Sequence, residues 1–198
     1  MTTKYGFSEV REQLLHCLEG AYPTKWEAYQ TASVLGEDVF GSPEPHPNAV
    51  LNLFLEQNVR FAIPLASYRA ALDDFSSLIS DEPGTMLSRL TLASTIYGME
   101  LMRGGFFKRA YSIAYNLAPK ECDDEKCLMK GDVSEGLRKI YAAVVKKGGG
   151  DMLSPLSLGG AFCASCSKPV ERDYDSWCAW VWKSLPRVFR VGKSWEEV

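Results

Sequence analysis

The spacing of apolar residues constrains this chain more than any other feature. In one segment after another they recur every three or four positions, and nowhere do they hold the period-two alternation with polar residues that a half-buried strand needs. Val10, Leu14, Leu15, Cys17 and Leu18 form one helical stripe between Ser8, an N-cap residue, and Gly20, a stop. This pattern puts Cys17 in the core, and His16 falls between two positions of buried type. After Ala21-Tyr22-Pro23, the run Thr24-Lys25-Trp26-Glu27 has the form of a capping box, and a second helix is expected to about Val34. Gly36 to Pro47 holds three prolines and two glycines and reads as an exposed loop.

Val50, Leu51, Phe54, Leu55, Val59 and Ala62 predict a helix over 48–63, interrupted by Pro64, with another from about Leu65 to Ile79. Asp81-Glu82-Pro83-Gly84 predicts a turn, because proline presets one dihedral and glycine permits the reversed one. Leu90 to Leu117 is helical in spacing, and Gly98, Gly104 and Gly105 leave open whether it is two helices or one kinked one. Beyond Pro119 a charged stretch with Cys122 and Cys127 precedes a helix expected from about Ser134 to Val145, which Gly148-Gly149-Gly150 end. Residues 151–160 read as irregular, and a tryptophan-rich tail runs from Trp177 to Trp195. The fold class that follows is all-α: an irregular multi-helix bundle, about six to eight helices by this periodicity, with a cysteine-containing, Trp-rich C-terminal tail.

Charge and hydropathy then narrow the function. With 198 residues, 46% of them hydrophobic, the chain can bury one sizeable core and a minor appended lobe. A formal charge of -3 offers no long-range attraction to phosphate backbones or anionic lipid, so nucleic acid is a poor first candidate. No basic start leads into an apolar run, and no 18-residue apolar stretch occurs, so neither a secretory signal nor a membrane partner is expected and the protein is placed inside the cell, in cytoplasm or nucleus. In that reducing setting the six cysteines read as thiols or metal ligands.

Two close cysteine pairs carry the sharpest chemistry: Cys122-x4-Cys127 and Cys163-x2-Cys166, separated by 35 residues. A tetrahedral zinc site wants four soft ligands, and tight turns supply them two at a time, so these four are the candidate ligands of one structural zinc. The alternatives are four small apolar side chains between helices, or a reversible disulfide. A redox reading of Cys163-Ala164-Ser165-Cys166 lacks the preceding strand of a βαβ unit. Cys178, among tryptophans, is expected in the core.

No other constellation supports catalysis, and no catalytic residue is assigned. His16 and His46 have no serine, cysteine and acid arranged around them. Asp73-Asp74 and Asp123-Asp124-Glu125 read as a solvated helix face or an N-terminal turn. Neither Gly148-Gly149-Gly150 nor Gly104-Gly105 follows a strand or carries the Lys-Ser/Thr of a phosphate loop. Lys183, Arg187, Arg190 and Lys193 interleave with Trp180, Trp182, Phe189 and Trp195, a composition shared by nucleic-acid surfaces and by aromatic anchors that bury a tail. The negative net charge favours the anchor.

Three stretches, in order, resemble the BTB/POZ-domain proteins of basidiomycete fungi. They are Lys4-Tyr5-Gly6-Phe7 into Val10-Arg11 and Leu18-Glu19-Gly20-Ala21-Tyr22-Pro23-Thr24; the helical pair 48–63 and 65–78; and Phe162-Cys163-Ala164-Ser165-Cys166 followed by Trp182-Lys183-Ser184-Leu185-Pro186, Phe189 and Trp195-Glu196-Glu197. The resemblance implies the helical region that follows the BTB fold, with the BTB core itself missing, as in a gene model truncated at the front or a shortened paralogue. It also implies cysteines meeting from both pairs, and an adaptor role. The expected organisation is a helical body over 1–118 with a Cys/Trp-rich helical segment, 119–198, packed on it. The expected function is non-enzymatic protein binding, in grooves between the helices at 48–63, 65–79 and 90–117, with self-association through the first helix also open. The alternative is a zinc-stabilised regulatory domain that contacts nucleic acid through the basic-aromatic tail.

Overall fold

In the computed structural model, residues 7–35, 45–72, 75–79, 82–117, 122–148 and 150–198 are described. Most of the expected loop at 36–47, the Asp73-Asp74 pair, Lys4-Tyr5-Gly6 and Pro119 lie outside them. The protein is all-α, and the described residues contain no strand. The helices are α1 (Phe7–Ala21), α2 (Trp26–Leu35), α3 (Pro47–Glu56), α4 (Ile63–Leu72), α5 (Phe75–Leu78), α6 (Arg89–Ser112), α7 (Leu128–Gly131), α8 (Val133–Gly148) and α9 (Ala164–Val188). The chain divides into two compact units, 1–98 with 183–198, and 99–182.

In the first unit α3 and α4 pack together, and Leu51, Phe54, Leu65, Tyr68 and Leu78 are fully buried. Tyr22 closes this core with its ring edge-on to Phe54 at 4.8 Å and the Arg69 guanidinium 4.6 Å above it. The α3 start is local chemistry. His46 Nδ1 accepts from the Asn48 amide at 3.2 Å, and Pro47 occupies the first helical position, where its missing N–H has no intrahelical partner to lose.

The helix predicted over 48–63 is not continuous: α3 ends at Glu56, and Asn58 takes a left-handed φ of 53°. The Val59 amide then bonds back to the Phe54 carbonyl at 2.9 Å, satisfying an orphan acceptor at the helix end. Pro64 interrupts nothing. It sits in the first turn of α4, which begins at Ile63 and not at Leu65, and proline is tolerated there because that N–H would be unsatisfied anyway. The turn expected at Pro83-Gly84 forms, with Gly84 at φ 85° and the Thr85 amide reaching the Glu82 carbonyl at 3.1 Å, as a type II turn requires.

Two expectations for α1 are revised. The helix is described from Phe7 to Ala21, so Ser8 lies within it and not ahead of it, and Gly20 lies within it as well. Cys17 and His16 are exposed, as are Val10 and Leu14, so this stripe is not core.

The long apolar segment forms a single helix, α6, through all three glycines, and ends in a π turn at Ile113–Leu117. In the second unit Phe106, Ile113, Met129, Ile140, Val144, Leu153 and Tyr174 are buried. The Tyr174 hydroxyl donates to the Met152 carbonyl at 2.6 Å, which ties the irregular 150–162 segment to α9. Arg109 Nη2 donates to both carboxylate oxygens of Asp173, linking α6 to α9 within this unit. Cys178 is buried, as its setting among tryptophans suggests.

Candidate metal centre

Each cysteine pair is placed by a short backbone device. Before α7, the Lys126 amide donates to Asp124 Oδ1 at 2.9 Å and the Cys127 amide to the Asp124 carbonyl at 3.0 Å. This turn carries Cys122 and Cys127, and Cys127 is the N-cap residue of α7 in extended geometry. The second pair opens α9: the Cys166 and Ser167 amides donate to the Cys163 carbonyl at 3.0 and 2.9 Å. Cys163 therefore lies just ahead of α9 and Cys166 in its first turn.

The structure brings all four candidate residues, Cys122, Cys127, Cys163 and Cys166, to one place, with every sulfur within 4.8 Å of the others. Cys122 Sγ and Cys163 Sγ are 3.5 Å apart, and the Cys163 amide donates to Cys127 Sγ at 3.4 Å. All four are free thiols. Thiolate–metal bonds of about 2.3 Å in a tetrahedron put sulfurs about 3.8 Å apart, so the quartet lies within about 1 Å of a mononuclear four-sulfur shell. The cluster is compatible with a structural metal ion such as zinc.

Burial divides the quartet. Cys127 and Cys166 are 3% and 1% exposed, whereas Cys122 and Cys163 are half-buried. Burial pushes the Cys166 thiol well up, and the neighbouring thiols of Cys122, Cys163 and Cys127 add to it. Burial acts upward on Cys127 too, but backbone hydrogen bonds from Cys163 and Met129 and the Cys122 and Cys163 thiols outweigh it and hold the group at about 7. At Cys122 a backbone hydrogen bond from Asp124 acts downward, yet burial and the Cys163 thiol leave it raised. Cys127 is thus shifted down where donors converge, while Cys122 and Cys166 are shifted up.

The other candidates do not assemble a site. His46 is the α3 cap, His16 is exposed beside Glu19, and Asp123, Asp124 and Glu125 are exposed around the turn. Gly104 and Gly105 lie inside α6, and α8 ends at Gly148. In the tail, Trp177, Trp182 and Phe189 are buried, Trp180 is exposed, and the Arg190 guanidinium lies 4.6 Å above the Tyr97 ring. Three of the tail's rings are therefore buried, where single-strand binders expose a series.

One feature was missed in the sequence: Leu101, Phe107 and Tyr111 of α6, with Tyr115 of the π turn that follows, are 38% to 58% exposed. The signal was present, because the apolar residues of α6 occupy more positions around the helix than one buried stripe can take. Among the described residues, no helix is long and apolar enough to cross a membrane. Comparison of the chain with protein-family profiles, with curated proteins and with solved structures finds no match.

Proposed function

We propose that the chain is a non-enzymatic helical module that binds another protein, and that one structural zinc ion on Cys122, Cys127, Cys163 and Cys166 fastens its 99–182 unit. The observation that carries the reading is the convergence of four thiol sulfurs within 4.8 Å of one another from two segments distant in sequence. Four protein sulfurs fill a tetrahedral ion and leave no position for an activated water, so this donor set supports a structural ion over a catalytic one. The protein-binding role is supported by the exposed Leu101, Phe107, Tyr111 and Tyr115, which line a helix face with little reason to be apolar unless it is covered. The resemblance to fungal BTB/POZ proteins points to the same adaptor role.

Zinc is tested by elemental analysis of protein purified from zinc-supplemented culture. About one equivalent is expected from the single four-ligand shell, and a content near zero overturns the assignment. For the partner, immobilised protein is incubated with fungal lysate in parallel with a Leu101→Glu, Tyr111→Glu variant of equal helicity and zinc content. The reading expects proteins retained by the first and lost by the second; identical recoveries, or none above background, overturn it.

A further inference from the structure

The quartet is asymmetric in a way that a purely structural ion does not need. Its two half-buried sulfurs, Cys122 and Cys163, come from opposite pairs and are 3.5 Å apart, whereas the other two are buried, Cys127 beneath the Cys163 amide. A small polar oxidant meets the rim sulfurs before the inner ones, and the two rim sulfurs are in contact with each other. We propose that the site is a peroxide-responsive switch, in which a hydroperoxide joins Cys122 to Cys163 in a disulfide and expels the zinc ion. This rests on the zinc reading above and adds regulation to it.

The chemistry balances without a further reactant. One rim thiolate attacks the peroxide, the O–O bond breaks, a sulfenic S–O bond forms and the distal oxygen leaves as hydroxide or alkoxide. The second rim thiolate attacks the sulfenic sulfur, the S–S bond forms, the S–O bond breaks and a second hydroxide leaves. The two sulfurs lose two electrons, the two peroxide oxygens gain them, and two protons from solvent complete the products. Zinc keeps only Cys127 and Cys166 as ligands, half of a closed shell, and is released. The disulfide spans 41 positions and joins the same two segments that the ion had joined, so oxidation exchanges one clasp for another.

The test uses full-length zinc-loaded protein and hydrogen peroxide in slight excess, with released zinc read by a chromogenic chelator. Peptides are then mapped after alkylation without reduction. Lys126 separates the tryptic peptides of Cys122 and Cys127, and fragmentation between Ala164 and Ser165 separates Cys163 from Cys166. The expected result is parallel loss of zinc and formation of a Cys122–Cys163 disulfide, with Cys127 and Cys166 alkylated and zinc binding restored by a phosphine reductant. Zinc retained at full occupancy, a disulfide within either pair, or oxidation to sulfinate without cross-linking would each sink the switch while leaving the zinc assignment standing. Protein that carries no zinc before peroxide is added sinks both.

Discussion

At the scale of single residues, the Tyr174 phenol shows how an interior polar group is held by a named partner. Tyr174 is buried with its hydroxyl on the Met152 carbonyl, and burial pushes the phenol well above its ordinary range, so it stays a neutral donor. Tyr174→Phe should lose about 0.5 to 1.5 kcal/mol of stability, the net worth of one hydrogen bond, because the Cys178 thiol still donates to the Met152 carbonyl at 3.4 Å; urea denaturation of the two proteins measures it. The cysteines give a pH dependence with a definite sign. Cys127 is held at about 7, below its ordinary value of 9.0, so above that pH it is already thiolate and zinc has one proton fewer to displace. Competition titrations from pH 6 to 8 should show apparent affinity rising with pH, more steeply below about 7 than above. The clustered cysteines were legible because thiol pairs at short spacing are uncommon and chemically specific. Cys17 was misread because a stripe on α1 says that a face is apolar, not that anything covers it.

Helices were legible where propensity and punctuation agreed, and misread where a stop lacked the usual residues. Pro64 looked like the break between two helices, but proline in a first turn starts a helix as readily as it ends one. The break lies at Asn58, whose side chain tolerates the left-handed conformation without glycine's sequence flag. Continuity of α6 was left open for a related reason: three glycines each weaken a helix by about 1 kcal/mol relative to alanine, but tertiary packing outweighs this. The glycines are not equivalent. A β-carbon at Gly98 would press into the Phe189 ring, whereas one at Gly104 would meet nothing within 4 Å. Gly98→Ala should therefore destabilise by about 1 to 3 kcal/mol through overpacking, and Gly104→Ala should stabilise by up to about 1 kcal/mol through helix propensity. Thermal denaturation of both variants checks the opposite signs on one helix.

Across the whole molecule, the all-α class followed from periodicity because the same 3.6-residue pattern recurs in nearly every segment. Which apolar faces are covered did not follow, since Leu101 and Met102 are neighbours in sequence with opposite fates. A zinc ion that binds the folded chain adds stability by mass action. A strong chelator should thus lower the melting temperature, with hydrogen exchange rising first at 122–131 and 163–170; equal melting curves with and without chelator would contradict this. The clasp also bears on synthesis. Cys127 and Cys166 are 39 positions apart, so at about 5 to 20 residues per second the first pair waits about 2 to 8 seconds on the ribosome before its counterpart is made. During that wait two ligands cannot close a shell. On the proposed zinc assignment the ion can be enclosed only after translation has passed Cys166, and metal-starved cells should accumulate finished chains that have never been clasped.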